Sequence, residues 1–113
     1  MLAKNHRLTK REDFATVYTK GAYSSLAGII IKYAPSKNML TRIGFSIGKN
    51  FSKKAVQRNR VRRVLQEACR LNIELLKPGF DIVVIIKPEY NDIDFKNTAE
   101  ILKKIFTKAN LFI

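Results

Sequence analysis

The stretch AVQRNRVRRVLQEACR, residues 55–70, decides how this chain is read. Arg58, Arg60, Arg62 and Arg63 crowd around Asn59, yet Val61, Val64, Leu65 and Ala68 recur at helical spacing, continued by Leu71 and Leu75. On a helical wheel those six apolar residues form one arc, and Asn59, Arg62, Arg63, Gln66 and Arg70 fill the opposite face. Arg58 and Arg60 flank that polar face on either side. The spacing predicts a helix from about Lys53 to Leu75, stopped by Pro78 and Gly79, with one side docked on a core and the other presenting guanidinium groups.

Working outward, FDIVVIIK at 80–87 is a near-continuous apolar run, as expected of a central strand buried on both faces. Upstream, TRIGFSIG at 41–48 alternates Ile43, Phe45 and Ile47 with Gly44, Ser46 and Gly48. One face of that strand is nearly bare, which lets a backbone or a ligand approach closely. LAGIIIKYA at 26–34 is β-branched and reads as strand, whole or split in two, followed by a PSKN turn. Near the start, Thr9 and Glu12 have the spacing of a capping box. It would open a helix carrying Phe14, Val17 and Tyr18 on one stripe and ending near Gly21. A last helix from about Asp94 to Ala109 repeats the helical period with Phe95, Ala99, Leu102, Ile105 and Phe106. Asp92 and Asp94 suit N-capping better than magnesium binding. The expected fold is a single α+β domain over residues 1–113, a small two-layer sandwich with a central sheet packed by helices.

The charge is lopsided. The 113 residues carry a formal charge of +13, and residues 1–63 hold 15 Lys and Arg against two acids, Glu12 and Asp13. Between Asp13 and Glu67 there is no carboxylate, whereas residues 64–113 hold seven charges of each sign. A solvated helix face ordinarily interleaves glutamates with its lysines and arginines. A one-sided excess points instead to a polyanion, for which nucleic acid, anionic membrane and acidic protein are candidates. Nucleic acid comes first, because guanidinium groups form forked bonds to phosphate at any cellular pH. Asn59 adds a donor and an acceptor for a base edge or a ribose hydroxyl. Lys49, Lys53 and Lys54 place more cations at the helix start, where the dipole favours phosphate. Phe14, Tyr18 and Tyr33 have a spacing that suits either core packing or stacking of bases beside a cationic groove.

Several chemistries find no support. The single cysteine, Cys69, excludes an internal disulfide and a multi-cysteine zinc site, and it borders the apolar arc as a buried thiol would. The one histidine, His6, reads as a surface or RNA-contacting side chain near the start, and no nucleophile, base and orienting group form a triad. GKNFSKK lacks the spacing of a phosphate loop. No apolar run reaches the roughly 18 residues of a membrane span, and MLAKNHRLTKRED has no signal-peptide core. A cytoplasmic protein with no membrane association is expected.

AVQRNRVRRVLQEACR, with its Arg58-Asn59-Arg60 core, closely resembles the signature helix of the bacterial ribonuclease P protein subunit. HRLTKREDFATVYTKG, RIGFSIGKN and DIVVIIKPEY match in the same order, so the resemblance covers nearly the whole chain. It implies an accessory subunit of an endoribonuclease whose catalytic centre and Mg2+ ions belong mainly to an RNA, with no catalytic residue in this chain and its metal ligands unassigned. The partners implied are that catalytic RNA and precursor tRNA, from which the 5′ leader is removed, with no obligate protein partner. By position, Lys49, Lys53, Lys54, Arg58, Asn59, Arg60, Arg62 and Arg63 would face the catalytic RNA. Phe14, Tyr18 and Tyr33 would line a leader-binding cleft between the first helix and the sheet, with Tyr18 standing where the family commonly has phenylalanine. The family fold is a mixed sheet in which the signature helix joins two parallel strands by a left-handed crossover. A structural RNA-binding protein, such as a ribosomal component, is the competing reading of the same basic surface.

Overall fold

The computed structural model describes residues 2–90 and 94–113. A 3-10 turn at Lys4–His6 precedes α1 (Arg11–Lys20), β1 (Ala22–Leu26), β2 (Ile29–Pro35), β3 (Arg42–Ser46), α2 (Ala55–Asn72), β4 (Phe80–Ile86) and α3 (Phe95–Lys108). The strands lie in the order β1-β2-β4-β3, antiparallel except for the parallel pair β3 and β4. A parallel pair cannot be closed by a tight turn. The chain therefore leaves β3, runs through α2 and returns as β4, so the helix joins two parallel strands of a mixed sheet as the resemblance implies.

β4 is interior, as its composition requires. Ile82, Val84 and Ile86 enter the main core with Ile29 and Ile31 of β2 and Ile43 of β3. Val61, Leu65, Ala68 and Cys69 of α2 and Leu102, Ile105 and Phe106 of α3 close that core from above. The sheet and these two helices form the expected sandwich. On the opposite face Val83 and Ala34 meet Val17 of α1 and Leu8 in a second, smaller cluster. A ten-residue α1 covers only part of that face.

Three local expectations are corrected. Thr9 does not cap α1: the N-cap position falls to Lys10, with no side-chain capping bond. The cause is the preceding segment, which is drawn into the sheet, Arg7 bridging Ile43 and the Leu8 amide donating to the Ile43 carbonyl at 3.0 Å. The apolar arc of α2 is also shorter than its spacing predicts, since Leu71 and Leu75 are exposed. At Asn72 the helix gives way to a 3-10 turn, Ile73–Leu75, whose tighter winding turns Leu75 outward and leaves Leu76 to be buried. His6 is half-buried and anchored, its Nδ1–H donating to the Thr41 carbonyl at 2.8 Å.

The strand region at 26–34 is split. Ala27 and Gly28, at φ 54° and 90°, turn the chain between β1 and β2. A two-residue hairpin with both φ values positive favours asparagine before glycine. Ala27→Asn is expected to raise stability by up to about 1 kcal/mol, part of the left-handed penalty on alanine, read from the urea midpoint.

Cys69 is fully buried, and burial pushes its thiol up to about 12. At pH 8 the native thiol stays protonated while an unfolded one, near its ordinary value, is partly thiolate. Alkylation of Cys69 at pH 8 should therefore follow global unfolding in urea; rapid labelling of the native protein would contradict the burial.

Candidate nucleic-acid interface

The rotation of α2 is set by Val61, Leu65, Ala68 and Cys69, each 1% exposed or less. With that side buried, Asn59, Arg63 and Arg70 face solvent and Arg62 and Gln66 lie half-buried beside them. Asn59 Oδ1 accepts from Arg62 Nη1 at 2.8 Å, which aims the guanidinium along the helix surface. Val56 is 77% exposed in the middle of this cationic face, lining a shallow groove with Asn59, Arg62, Arg63 and Gln66. Arg60 is exposed at the flank. Arg58 differs from the others: it is half-buried, and its Nη1 donates to the Ser52 carbonyl at 2.8 Å. Its charge thus sits on the segment leading into α2, with Lys49, Lys53 and Lys54 exposed around it. Ser52 shapes that segment, its Oγ accepting from the Lys54 amide at 3.1 Å and donating to Gln57 Oε1 at 2.5 Å. Glu67, the carboxylate nearest the rail, is paired with Arg70, whose Nε donates to its Oε1 at 3.0 Å, and that pairing holds its pKa down to about 2.

The cleft is built on the other face of the sheet. Phe14 and Tyr18 of α1 stand one turn apart with ring centroids 6.5 Å from each other. Phe14 occupies the bare side of β3: a Cβ on Gly44 would meet the ring edge, 2.9 Å from Cε1, and the Leu8 carbonyl at 3.0 Å. The gap that alternating glycine left in the sequence is filled by an aromatic ring of the chain itself. Tyr33 is not in this cleft, which corrects its expected placement. Side chains alternate along a strand, and Ile29 and Ile31 face the main core, so Tyr33 does too, meeting Phe80 edge-on at 6.5 Å. Lys32 takes the cleft side instead, its Nζ 5.3 Å from the Tyr18 ring centroid. Counting alternate residues back from Ile31 was the signal that could have found it.

A groove of about 270 Å³ joins the two surfaces at the β3 edge, lined by Phe14 and Gly44 on one side, Arg62 and Gln66 on the other, and Arg7 and Thr9 between. The cationic rail and the aromatic cleft thus open into one another, which spacing along the chain did not reveal. Arg42 adds no free charge here, since Asp81 takes its guanidinium in a fork at 2.8 and 2.9 Å and Asp13 lies 3.4 Å from it. Asp94 caps α3, accepting from the Asn97 amide at 3.2 Å, and Asp92 lies outside the described residues. Among the described residues no three His, Cys, Asp or Glu side chains gather as a metal site would need. No helix among them is long and apolar enough to cross a membrane.

The family model for Ribonuclease P matches residues 2–110, a span that holds both the arginine helix and the aromatic cleft. The chain belongs to the ribonuclease P protein family. The ribonuclease P protein component of Clostridioides difficile is 37% identical over 107 residues, covering 94% of this chain and 93% of its own. That of a Picosynechococcus strain is 32% identical over 111 residues, covering 98% and 96%. Among solved structures, the RNase P protein of Thermotoga maritima superposes with a TM-score of 0.79 at 27% identity, covering 90% of this chain and 96% of that one. The Staphylococcus aureus RNase P protein, at 24% identity, shares the fold with a TM-score of 0.86 over 96% and 98%. The chain is accordingly the protein subunit of a ribonucleoprotein endoribonuclease that acts in tRNA 5′ maturation, and it associates with ribonuclease P RNA.

The rail predicts how that association responds to salt. Each phosphate neutralised contributes roughly 0.7–0.9 to the log–log slope of affinity against salt. Arg60→Ala and Arg63→Ala should each flatten the slope by about one contact and leave the urea midpoint unchanged, because both side chains are exposed. Arg58→Ala should lower the midpoint as well, since it also removes the bond to Ser52.

Proposed function

We propose that this subunit grips the catalytic RNA with the outer face of α2 and the cationic segment before it, and receives the 5′ leader of precursor tRNA in the cleft between α1 and the sheet. Residues for the first contact are Lys49, Lys53, Lys54, Arg58, Asn59, Arg60, Arg62 and Arg63, with Val56 and Gln66 beside them. Phe14 and Tyr18 serve the second, Lys32 taking the place expected of Tyr33. The observation that carries the reading is the groove from Phe14 to Arg62, which makes one continuous surface of the two. An RNA cleavage site held next to α2 would send its single-stranded leader directly across Phe14.

Bond breaking belongs to the RNA in this reading, and Mg2+ bound mainly by that RNA supplies the charge stabilisation that phosphodiester cleavage needs. The part played by this chain is electrostatic and positional. Two polyanions, the catalytic RNA and the precursor, must come together against their own repulsion, and a surface without carboxylates between Asp13 and Glu67 screens both. Stacking on Phe14 and Tyr18 adds affinity with little dependence on base identity. The subunit works in the cytoplasm, away from membranes and without an obligate protein partner.

The test is reconstitution at limiting magnesium. Adding the protein to ribonuclease P RNA should raise 5′ processing of precursor tRNA well above the level given by a generic basic protein. In the same holoenzyme, Phe14→Ala should weaken binding of precursor tRNA by roughly fivefold or more, while mature tRNA, which lacks a leader, binds as before. Equal losses for both substrates would remove the cleft from the mechanism.

A further inference from the structure

The α1 face of the sheet does not end at Tyr18. Tyr23, on edge strand β1, is 71% exposed, the most exposed aromatic ring among the described residues. It pairs directly with Lys32 across the β1–β2 ladder, so the two side chains rise from the same face. Lys32 in turn holds its ammonium over the Tyr18 ring, and Tyr18 neighbours Phe14. Phe14, Tyr18, Lys32 and Tyr23 therefore form one line running from α1 across β2 to the sheet edge. Phe14 stands at the end nearer Arg62, so Tyr23 is the far end.

We infer that Tyr23 and Lys32 form a second subsite for single-stranded RNA, which takes leader nucleotides further upstream than those held at Phe14 and Tyr18. The inference rests on the proposed leader path. A base stacks on the open face of Tyr23 while Lys32, already poised over Tyr18 and short of any carboxylate on its own strand, meets the adjoining phosphate. An exposed tyrosine also suits a strand edge for its β propensity alone. That bland role gives no dependence on the leader, and the experiment turns on the difference.

The holoenzyme is reconstituted with ribonuclease P RNA and given precursor tRNAs whose unstructured leaders increase in length. Tyr23→Ala should weaken binding by about fivefold, the lower end for loss of one stacked base, and only once the leader is long enough to pass Tyr18. Tyr23→Phe, which keeps the stacking face, should restore the affinity. Phe14→Ala should weaken precursors at every leader length. Two results overturn the subsite and leave the leader path standing: a Phe14→Ala loss with no effect of Tyr23→Ala at any length, or a Tyr23→Ala loss equal for short and long leaders. If neither variant separates precursor from mature tRNA, the leader path fails and the subsite falls with it.

Discussion

Everything this molecule offers to RNA depends on how one helix is seated. Val61, Leu65, Ala68 and Cys69 bury one side of α2 against the sheet, and burying a valine or leucine such as Val61 or Leu65 stabilises by roughly 1.5–3 kcal/mol each. The energy matters less than the angle it dictates. A rotation by one residue would carry Arg62 into an apolar core, where an unpaired guanidinium is far costlier than any contact regained. The direction of the arginine rail is therefore decided by hydrocarbon. The crossover between β3 and β4 then fixes where along the sheet that rail begins and ends.

The two faces of the sheet divide the work. One is filled by α2 and α3 and holds the main core. The other is partly covered by a short helix, leaving room for rings and a lysine at the surface. Arg42 ties that arrangement together, linking Asp13 at the start of α1 to Asp81 of β4. It also consumes the carboxylates that would otherwise compete with phosphate near the cleft. A buried or half-buried ion pair is uncertain as a source of stability. Here it has the separate effect of leaving the surrounding potential positive.

Much of this was legible from residue order. The helical arc within 55–70, the apolar run at 80–87 and the alternation at 41–48 each reported an element whose environment is nearly uniform along its length. The failures have a common physical origin. Thr9 loses its capping role because residues 7 and 8 join the sheet beside Ile43, a contact far along the chain from the local pattern at 9–12. Leu75 turned outward because the helix tightened at its end. The resemblance puts Tyr33 in the cleft, but the pleat, legible from Ile29 and Ile31, packs it against the main core with Lys32 on the other side. The hairpin at Ala27 and Gly28 carries little local signal, because alanine seldom adopts the left-handed conformation it holds there. Nothing local could announce the groove between Phe14 and Arg62, which exists only once α1, β3 and α2 are assembled.

The seat of Phe14 has a longer-range meaning. Its ring rests on the main chain of β3 at Gly44 and beside the Leu8 carbonyl, so its height above the sheet is gauged against peptide backbone. Aliphatic cores accept exchanges among leucine, isoleucine, valine and methionine with modest shifts of neighbouring side chains. A ring referenced to peptide groups is insulated from such exchanges. The interior of this protein can drift over evolutionary time while the proposed RNA-binding cleft keeps its calibration, provided one position on one strand stays without a side chain.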